Sequence, residues 1–374
     1  MNRCPTCGTE YGPDARFCTR DGTRLGAPAA PPPLTTAPPP ASANPPAAPA
    51  EPVRRNTNPS RRPDTPSGTQ VQQPDLAGQV LEGRYRIVKK VGEGGMSFVY
   101  LATDVATNHR YAIKVLSAAL SQDDTAMARL KREASLGMRL EHPNICHIIR
   151  LGETEDGLVY VVMPFVEGEI LSDRNQRLGV LPLELTVQLV RDIAEGLHFA
   201  HQLRIVHRDL KPENIMVTKG TDGVERAVVM DFGLAKERRV GAEIQKLTST
   251  GTILGTPEFM SPEQLRGKPL DPRTDVYSLA LMTYEMLTGK LPFVGRTQQE
   301  TMIARLRSDP IPLRQMKPEL NLPESVEKVI TKALSRDPDG RYPTALEFAS
   351  ALEMAIKPGH GKSEGGVLGR LFGR

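Results

Sequence analysis

Two short polar runs constrain this chain more than its composition does: His207-Arg208-Asp209-Leu210-Lys211-Pro212-Glu213-Asn214 and, seventeen residues beyond Asn214, Asp231-Phe232-Gly233. Each follows an apolar stretch, Ile205-Val206 and Ala227 to Met230, that reads as a short strand fixing the loop behind it. One carboxylate able to take a proton from an attacking hydroxyl, with a second carboxylate and an amide oxygen able to hold Mg²⁺ ions, is the donor set that phosphoryl transfer needs. Asp209, Asp231 and Asn214 carry those chemistries. A solvated charged turn would explain any one of these residues, but not both runs together.

Upstream, Val91-Gly92-Glu93-Gly94-Gly95-Met96-Ser97-Phe98-Val99-Tyr100 lies between two strand-like runs, so it reads as a glycine-rich hairpin turn. Glycine lets backbone N–H groups approach phosphate oxygens, and the absence of a following helix pattern argues against a dinucleotide-binding loop. An ordinary hairpin turn uses the same glycines. Tyr111-Ala112-Ile113-Lys114-Val115 follows as a strand with one inward lysine, then Ala126 to Leu140 with Leu130, Ala134 and Met138 at helical spacing.

Taken together the runs resemble a protein kinase over about Arg84 to Leu352, with every motif in the expected order, and the chain looks like a Ser/Thr kinase of the eukaryotic-like type found in bacteria. The resemblance implies an α+β, bilobal fold, with a β-rich lobe to about Met163 and a helical lobe after it. It implies that Asp209 is the catalytic base, that Asn214 and Asp231 hold Mg²⁺ or Mn²⁺, and that Lys211 reaches the γ-phosphate of ATP. Lys114 would bind the α- and β-phosphates and be positioned by Glu133. The ATP site implied comprises Val91 to Val99, with Ser97 standing where the family has its third glycine, and Lys114. Val99, Ala112 and Met216 would sandwich the adenine, Met163 would back the pocket, and Pro164 and Val166 would offer a carbonyl and an N–H from the hinge.

Beyond Gly233 the chain resembles an activation segment ending in Gly255-Thr256-Pro257-Glu258-Phe259-Met260-Ser261-Pro262-Glu263. Thr248, Thr250 and, third, Thr252 are the expected phosphorylation sites, with Arg208 as the paired cation and Thr256 lining the acceptor site. Glu263 is expected to pair with Arg341, and Asp275 to brace the catalytic loop, as supports. Helices are expected over Leu183 to His201, Asp275 to Leu287, Gln298 to Arg307, Ser325 to Leu334 and Tyr342 to Ile356.

The expected organisation is a zinc-ribbon-like module over 1–25, a disordered Pro/Ala-rich linker over 26–76, a kinase domain over 84–354 and a flexible basic tail over 357–374. The N-terminal pattern Cys4-x2-Cys7-x10-Cys18-x2-Asp21 resembles a zinc ribbon whose fourth position is an aspartate, so a Cys3Asp site, a degenerate ribbon and a disulfide all stand open. Cys146 reads as an inert core thiol. A formal net charge of +4 over 374 residues gives no sign of nucleic-acid binding. No run of 18 apolar residues occurs, so a protein without a transmembrane segment, in the cytoplasm, is expected. The expected partners are Ser/Thr-bearing protein substrates and, for trans-autophosphorylation, a second copy. A small-molecule phosphotransferase would lack the activation segment, and a catalytically weak scaffold recruiting partners through the N-terminal module would be expected to have lost Lys114, Asp209 or Asp231.

Overall fold

A computed structural model describes residues 2–3, 10–11, 76–94, 97–117, 121, 124–154, 156–232 and 257–357. The chain divides into two compact units, Met1–Gly68 and Thr69–Arg374. Of the first, the described part is an antiparallel pair, β1 (Asn2–Arg3) and β2 (Glu10–Tyr11). Cys4, Cys7, Cys18 and Asp21 lie outside the described residues.

The second unit begins with a six-stranded antiparallel sheet in the order β3-β4-β5-β6-β8-β7. Its strands are β3 (Val80–Leu81), β4 (Tyr85–Gly94), β5 (Ser97–Asp104), β6 (Arg110–Leu116), β7 (Arg150–Glu153) and β8 (Val159–Pro164). Burial alternates strictly along β5, the mark of a strand with one face on a core. That core gathers Tyr85, Ile87, Tyr100, Ile113, Tyr160 and Val162. Helix α1 (Asp124–Gly137) crosses between β6 and β7, burying Leu130 and Ala134.

After β8 come β9 (Glu169–Ile170), α2 (Leu171–Leu178) and α3 (Leu183–Gln202), then the hairpin of β10 (Ile215–Lys219) and β11 (Glu225–Val229). The rest is helical: α4 (Pro262–Leu265), α5 (Arg273–Thr288), α6 (Gln298–Arg307), α7 (Leu313–Met316), α8 (Glu324–Ala333) and α9 (Ala345–Ile356). Helix α5 is buried without a break from Thr274 to Tyr284, polar and apolar side chains alike, so it forms the axis of the large core with α3, α8 and α9 packed about it. It ends at Gly289, whose left-handed φ of 68° brings it so close to the Gly179 carbonyl that a Cβ would lie 2.5 Å from the oxygen.

The sequence and the structure part company in small ways. Ile205-Val206 is not a strand: the Ile205 N–H turns back to the Ala200 carbonyl (3.0 Å) as the chain leaves α3 through a left-handed Arg204, and among the described residues no strand pairs with it. The last helix starts at Ala345 rather than Tyr342 because the Thr344 side chain caps it, accepting from the Glu347 N–H at 3.1 Å.

Candidate active site

The loop carrying Asp209 is held from beneath by one buried carboxylate. Asp275, fully buried at the start of α5, accepts from the backbone N–H of His207 (2.8 Å), the N–H of Arg208 (2.9 Å) and His201 Nε2 (2.8 Å). Burial by itself would raise its pKa, but the His201 hydrogen bond and the neighbouring histidines hold it below the ordinary carboxylate value. This grip lets Arg208 sit at a left-handed φ of 64°, a conformation costly for a side chain of its size. The His207 ring packs edge-on to Phe232 (4.7 Å between centroids), and its Nε2 meets the Met230 carbonyl at 3.0 Å, tying this loop to the one bearing Asp231.

On that base the polar groups converge. Asn214 Nδ2 donates to the Asp209 carbonyl (2.7 Å) and to Asp209 Oδ2 (3.1 Å), and the Met230 N–H donates to the Asn214 carbonyl (2.8 Å). Lys211 Nζ lies 3.8 Å from Asp209 Oδ2. Across the cleft Lys114 Nζ, carried by β6, donates to Asp231 Oδ1 at 2.7 Å. Asp231 itself sits at a φ of 53°. The expected lysine partner, Glu133, falls on α1, but its side chain lies outside the described residues, and the described partner of Lys114 is Asp231.

Beside these polar groups is an apolar cluster joining the two lobes. Ala112, Met163, Val161, Cys146 and Val228 are buried in it, with Val99, Val166 and Met216 partly buried against them. Val99, Ala112, Met163, Val166 and Met216, all expected around an adenine, thus share one wall. Pro164 ends β8 opposite Tyr111, so its missing N–H leaves that edge only a carbonyl, which accepts from Cys146 Sγ at 3.6 Å. Burial, with the nearby Asp231 charge, pushes the Cys146 thiol up to about 12, so it stays a protonated and unreactive donor. The glycine-rich run forms the β4–β5 hairpin, with Gly92 opposite Val99, Glu93 opposite Phe98, and Gly94 opposite Ser97. Val91 is the extra residue of a bulge between the Lys90–Tyr100 and Gly92–Val99 pairs, and Gly95 and Met96 lie outside the described residues.

A family model described as the protein kinase domain matches residues 85–352. The chain belongs to the protein kinase family. Among curated relatives of this kinase, serine/threonine-protein kinase PknB of Mycobacterium leprae is 39% identical over 275 residues, covering 73% of this chain and 43% of the relative. Serine/threonine-protein kinase PrkC of Bacillus subtilis is 35% identical over 281 residues, covering 75% of this chain and 42% of the relative. The chain therefore spans less than half the length of these relatives. Among solved structures, the kinase domain of Mycobacterium tuberculosis PknI superposes with a TM-score of 0.58 at 29% identity, over 75% of this chain and 99% of that one. Rad53 1–466 in complex with AMP-PNP gives 0.58 at 26% identity, over 72% and 64%.

Other features of the kinase lie where the sequence put them, and some lie where it gave no sign. Arg341 reaches Glu263 with two hydrogen bonds of 2.7 Å, both side chains buried, and Thr274 adds a third bond to Glu263. Burial opposes the Glu263 charge, yet Arg341 holds its pKa below the ordinary value. Thr248, Thr250, Thr252 and Thr256 lie outside the described residues. Gln264 was not singled out from sequence; its Nε2 donates to the Arg208 carbonyl at 2.6 Å while its Oε1 and N–H close a capping box with Ser261. The Ser-x-x-Gln spacing was the available signal. Among the described residues no three His, Cys, Asp or Glu side chains gather as a metal site, and no helix is long and apolar enough to cross a membrane.

Proposed function

We propose that this chain is a serine/threonine protein kinase that transfers the γ-phosphoryl group of ATP to hydroxyls of protein substrates. The observation that carries the reading is the meeting of Asp209, Lys211, Asn214, Asp231 and Lys114 in one cleft between the lobes, beside an apolar wall suited to a purine. The names of the relatives support it, and the AMP-PNP complex of the similarly folded Rad53 supports a triphosphate as the ligand.

The donor set fits a hard divalent cation. Asn214 Nδ2 is committed to Asp209, so its carboxamide oxygen, with Asp231, would hold Mg²⁺ or Mn²⁺. Bound there, the metal would offset the charge of the triphosphate. Asp209 would orient the acceptor hydroxyl and take its proton, while Lys211 would hold the γ-phosphate and Lys114 the α- and β-phosphates. The backbone of Val91 to Val99 would cover the phosphates, and Glu133 would position Lys114. Pro164 O and Val166 N–H would address the adenine edge.

The same reading includes autophosphorylation between two copies at Thr248 or Thr250, with Thr252 third, the phosphate pairing with Arg208. It includes a Zn²⁺ site at Cys4, Cys7, Cys18 and Asp21, supported by spacing alone, and a cytoplasmic location. The division into 1–25, 26–76, 84–354 and 357–374 belongs to it also. The deciding experiment is transfer from labelled ATP to a generic protein acceptor. Wild type should label Ser or Thr, and Asp209→Asn should lose about a hundredfold or more in kcat with nucleotide affinity kept. Full activity in Asp209→Asn, or none in wild type, refutes the reading.

A further inference from the structure

Four consecutive peptide carbonyls, Pro257 to Met260, are each taken by a side chain of the large lobe. Arg305 Nη1 donates to Pro257 O (2.7 Å) and Met260 O (3.0 Å), and its Nη2 to Glu258 O. Ser278 Oγ, from α5, donates to Phe259 O at 2.8 Å. Arg305 stands in the last turn of α6 and is 0% exposed. Its guanidinium lies 5.8 Å from the Phe293 ring centroid; among the described residues its Nε is buried without an acceptor and no carboxylate forms an ion pair with it, the Glu258 carboxylate acting on it only from a distance.

Burying an unpaired cation is expensive, and an apolar side chain of similar volume would fill the same space at lower cost. What an apolar side chain could not do is hold three carbonyls at fixed spacing, for which the rigid fork of a guanidinium is suited. The stretch so held follows Thr256 directly. At its other end the capping box at Ser261 leads to Gln264, whose side chain holds the Arg208 carbonyl next to Asp209. The stretch is therefore registered both to α6 and to the loop bearing the base.

Resting on the protein kinase reading above, we infer that Arg305 is a positioning residue for the protein acceptor: it fixes the backbone of 257–260 as the surface against which the chain flanking the target Ser or Thr lies. It touches none of the groups assigned to ATP. Its loss should therefore weaken acceptor binding and leave nucleotide binding alone, whereas a general brace would affect both.

The test is steady-state kinetics of full-length Arg305→Met, Arg305→Lys and Ser278→Ala, varying a protein acceptor and ATP separately, with acceptor-independent ATP hydrolysis measured alongside. The expected result for Arg305→Met is an acceptor KM raised about tenfold or more, with ATP KM and basal hydrolysis within about twofold. Arg305→Lys, which keeps the charge but only one donor nitrogen, should recover part of the loss. Ser278→Ala should shift acceptor KM in the same direction by about threefold. If Arg305→Met does not fold, the other two decide. Unchanged acceptor KM in the variants, or acceptor and ATP KM rising together, overturns the inference while wild-type transfer stands. Absence of transfer by wild type would instead overturn the kinase reading.

Discussion

Replacing Asp275 with Asn keeps shape and removes charge, and the structure lets the cost be worked out. The carboxylate serves three donors, the N–H groups of His207 and Arg208 and the His201 ring. A carboxamide has one oxygen. Turned to keep His207 and His201, it points its own NH₂ at the Arg208 N–H, leaving a part-buried donor unsatisfied at about 1–3 kcal/mol. The two surviving bonds fall from charge-assisted to neutral, about 1 kcal/mol each. The sum is roughly 3–5 kcal/mol, a large share of the roughly 5–15 kcal/mol that holds a domain together. In urea, with a slope of about 2–3 kcal/mol per molar, the midpoint should drop by about 1–2.5 M. The folded pKa of Asp275 lies below its unfolded value, so its contribution is present above about pH 4 and is lost as pH falls through the lower folded value. The gap between wild type and variant should therefore close in acid. A midpoint shift under about 0.3 M at pH 7 and unchanged slope would refute the reasoning.

Four further outcomes are expected. Burial, with the charges of Glu213 and Glu258, pushes Glu285 up to about 7 against a hydrogen bond from Asn175, so wild-type stability should fall by about 1–3 kcal/mol between pH 5 and 8. Denaturation of Glu285→Gln across that range should be flat. Arg341→Met strands the buried Glu263 charge and should cost about 3–5 kcal/mol by urea denaturation, with the double variant Glu263→Leu/Arg341→Met less harmed than the single one. Thr248→Ala/Thr250→Ala should lower protein phosphorylation, and mass spectrometry of active wild type should find phosphate on that segment. Under reducing conditions the full chain should carry about one Zn²⁺ by elemental analysis, lost when Cys4 and Cys7 are both changed to Ser.

The catalytic loop was legible because its chemistry is written in contiguous residues: Asp209 and Asn214 are five apart and meet by local geometry alone. The Glu263–Arg341 pair, 78 residues apart, was legible only through the family resemblance. Helix α6 matched its expected bounds because Thr297 caps it in the usual way, accepting from Glu300 N–H. Yet the same periodicity makes Arg305 look like an ordinary cation near a helix C-terminus, because its burial is imposed by a segment 45 residues upstream. Gln264 and Ser278 escaped for the same reason. The lysine partner is a different matter: pairing Lys114 with Asp231 spans 117 residues, and no local pattern encodes which acid it meets.

The segment between α1 and β7 belongs by sequence to the small lobe, yet it is stitched to the large one. Cys146 N–H donates to Val229 O (2.9 Å), Val229 N–H to Asn144 O (2.8 Å) and Asn144 Nδ2 to Ala227 O (2.9 Å). Gly196 of α3 lies so near that a Cβ there would sit 3.0 Å from Asn144 O and 3.2 Å from the Ile145 side chain. Among the described residues the main chain thus joins the lobes at the covalent strap after β8 and at this hydrogen-bonded clasp, in addition to the Lys114–Asp231 pair and the shared apolar cluster. Any movement of one lobe against the other must therefore either keep these hydrogen bonds or break them. An Ala at Gly196 would press on Asn144 O and the Ile145 side chain, so the clasp would have to give by a few tenths of an ångström to admit a single methyl group.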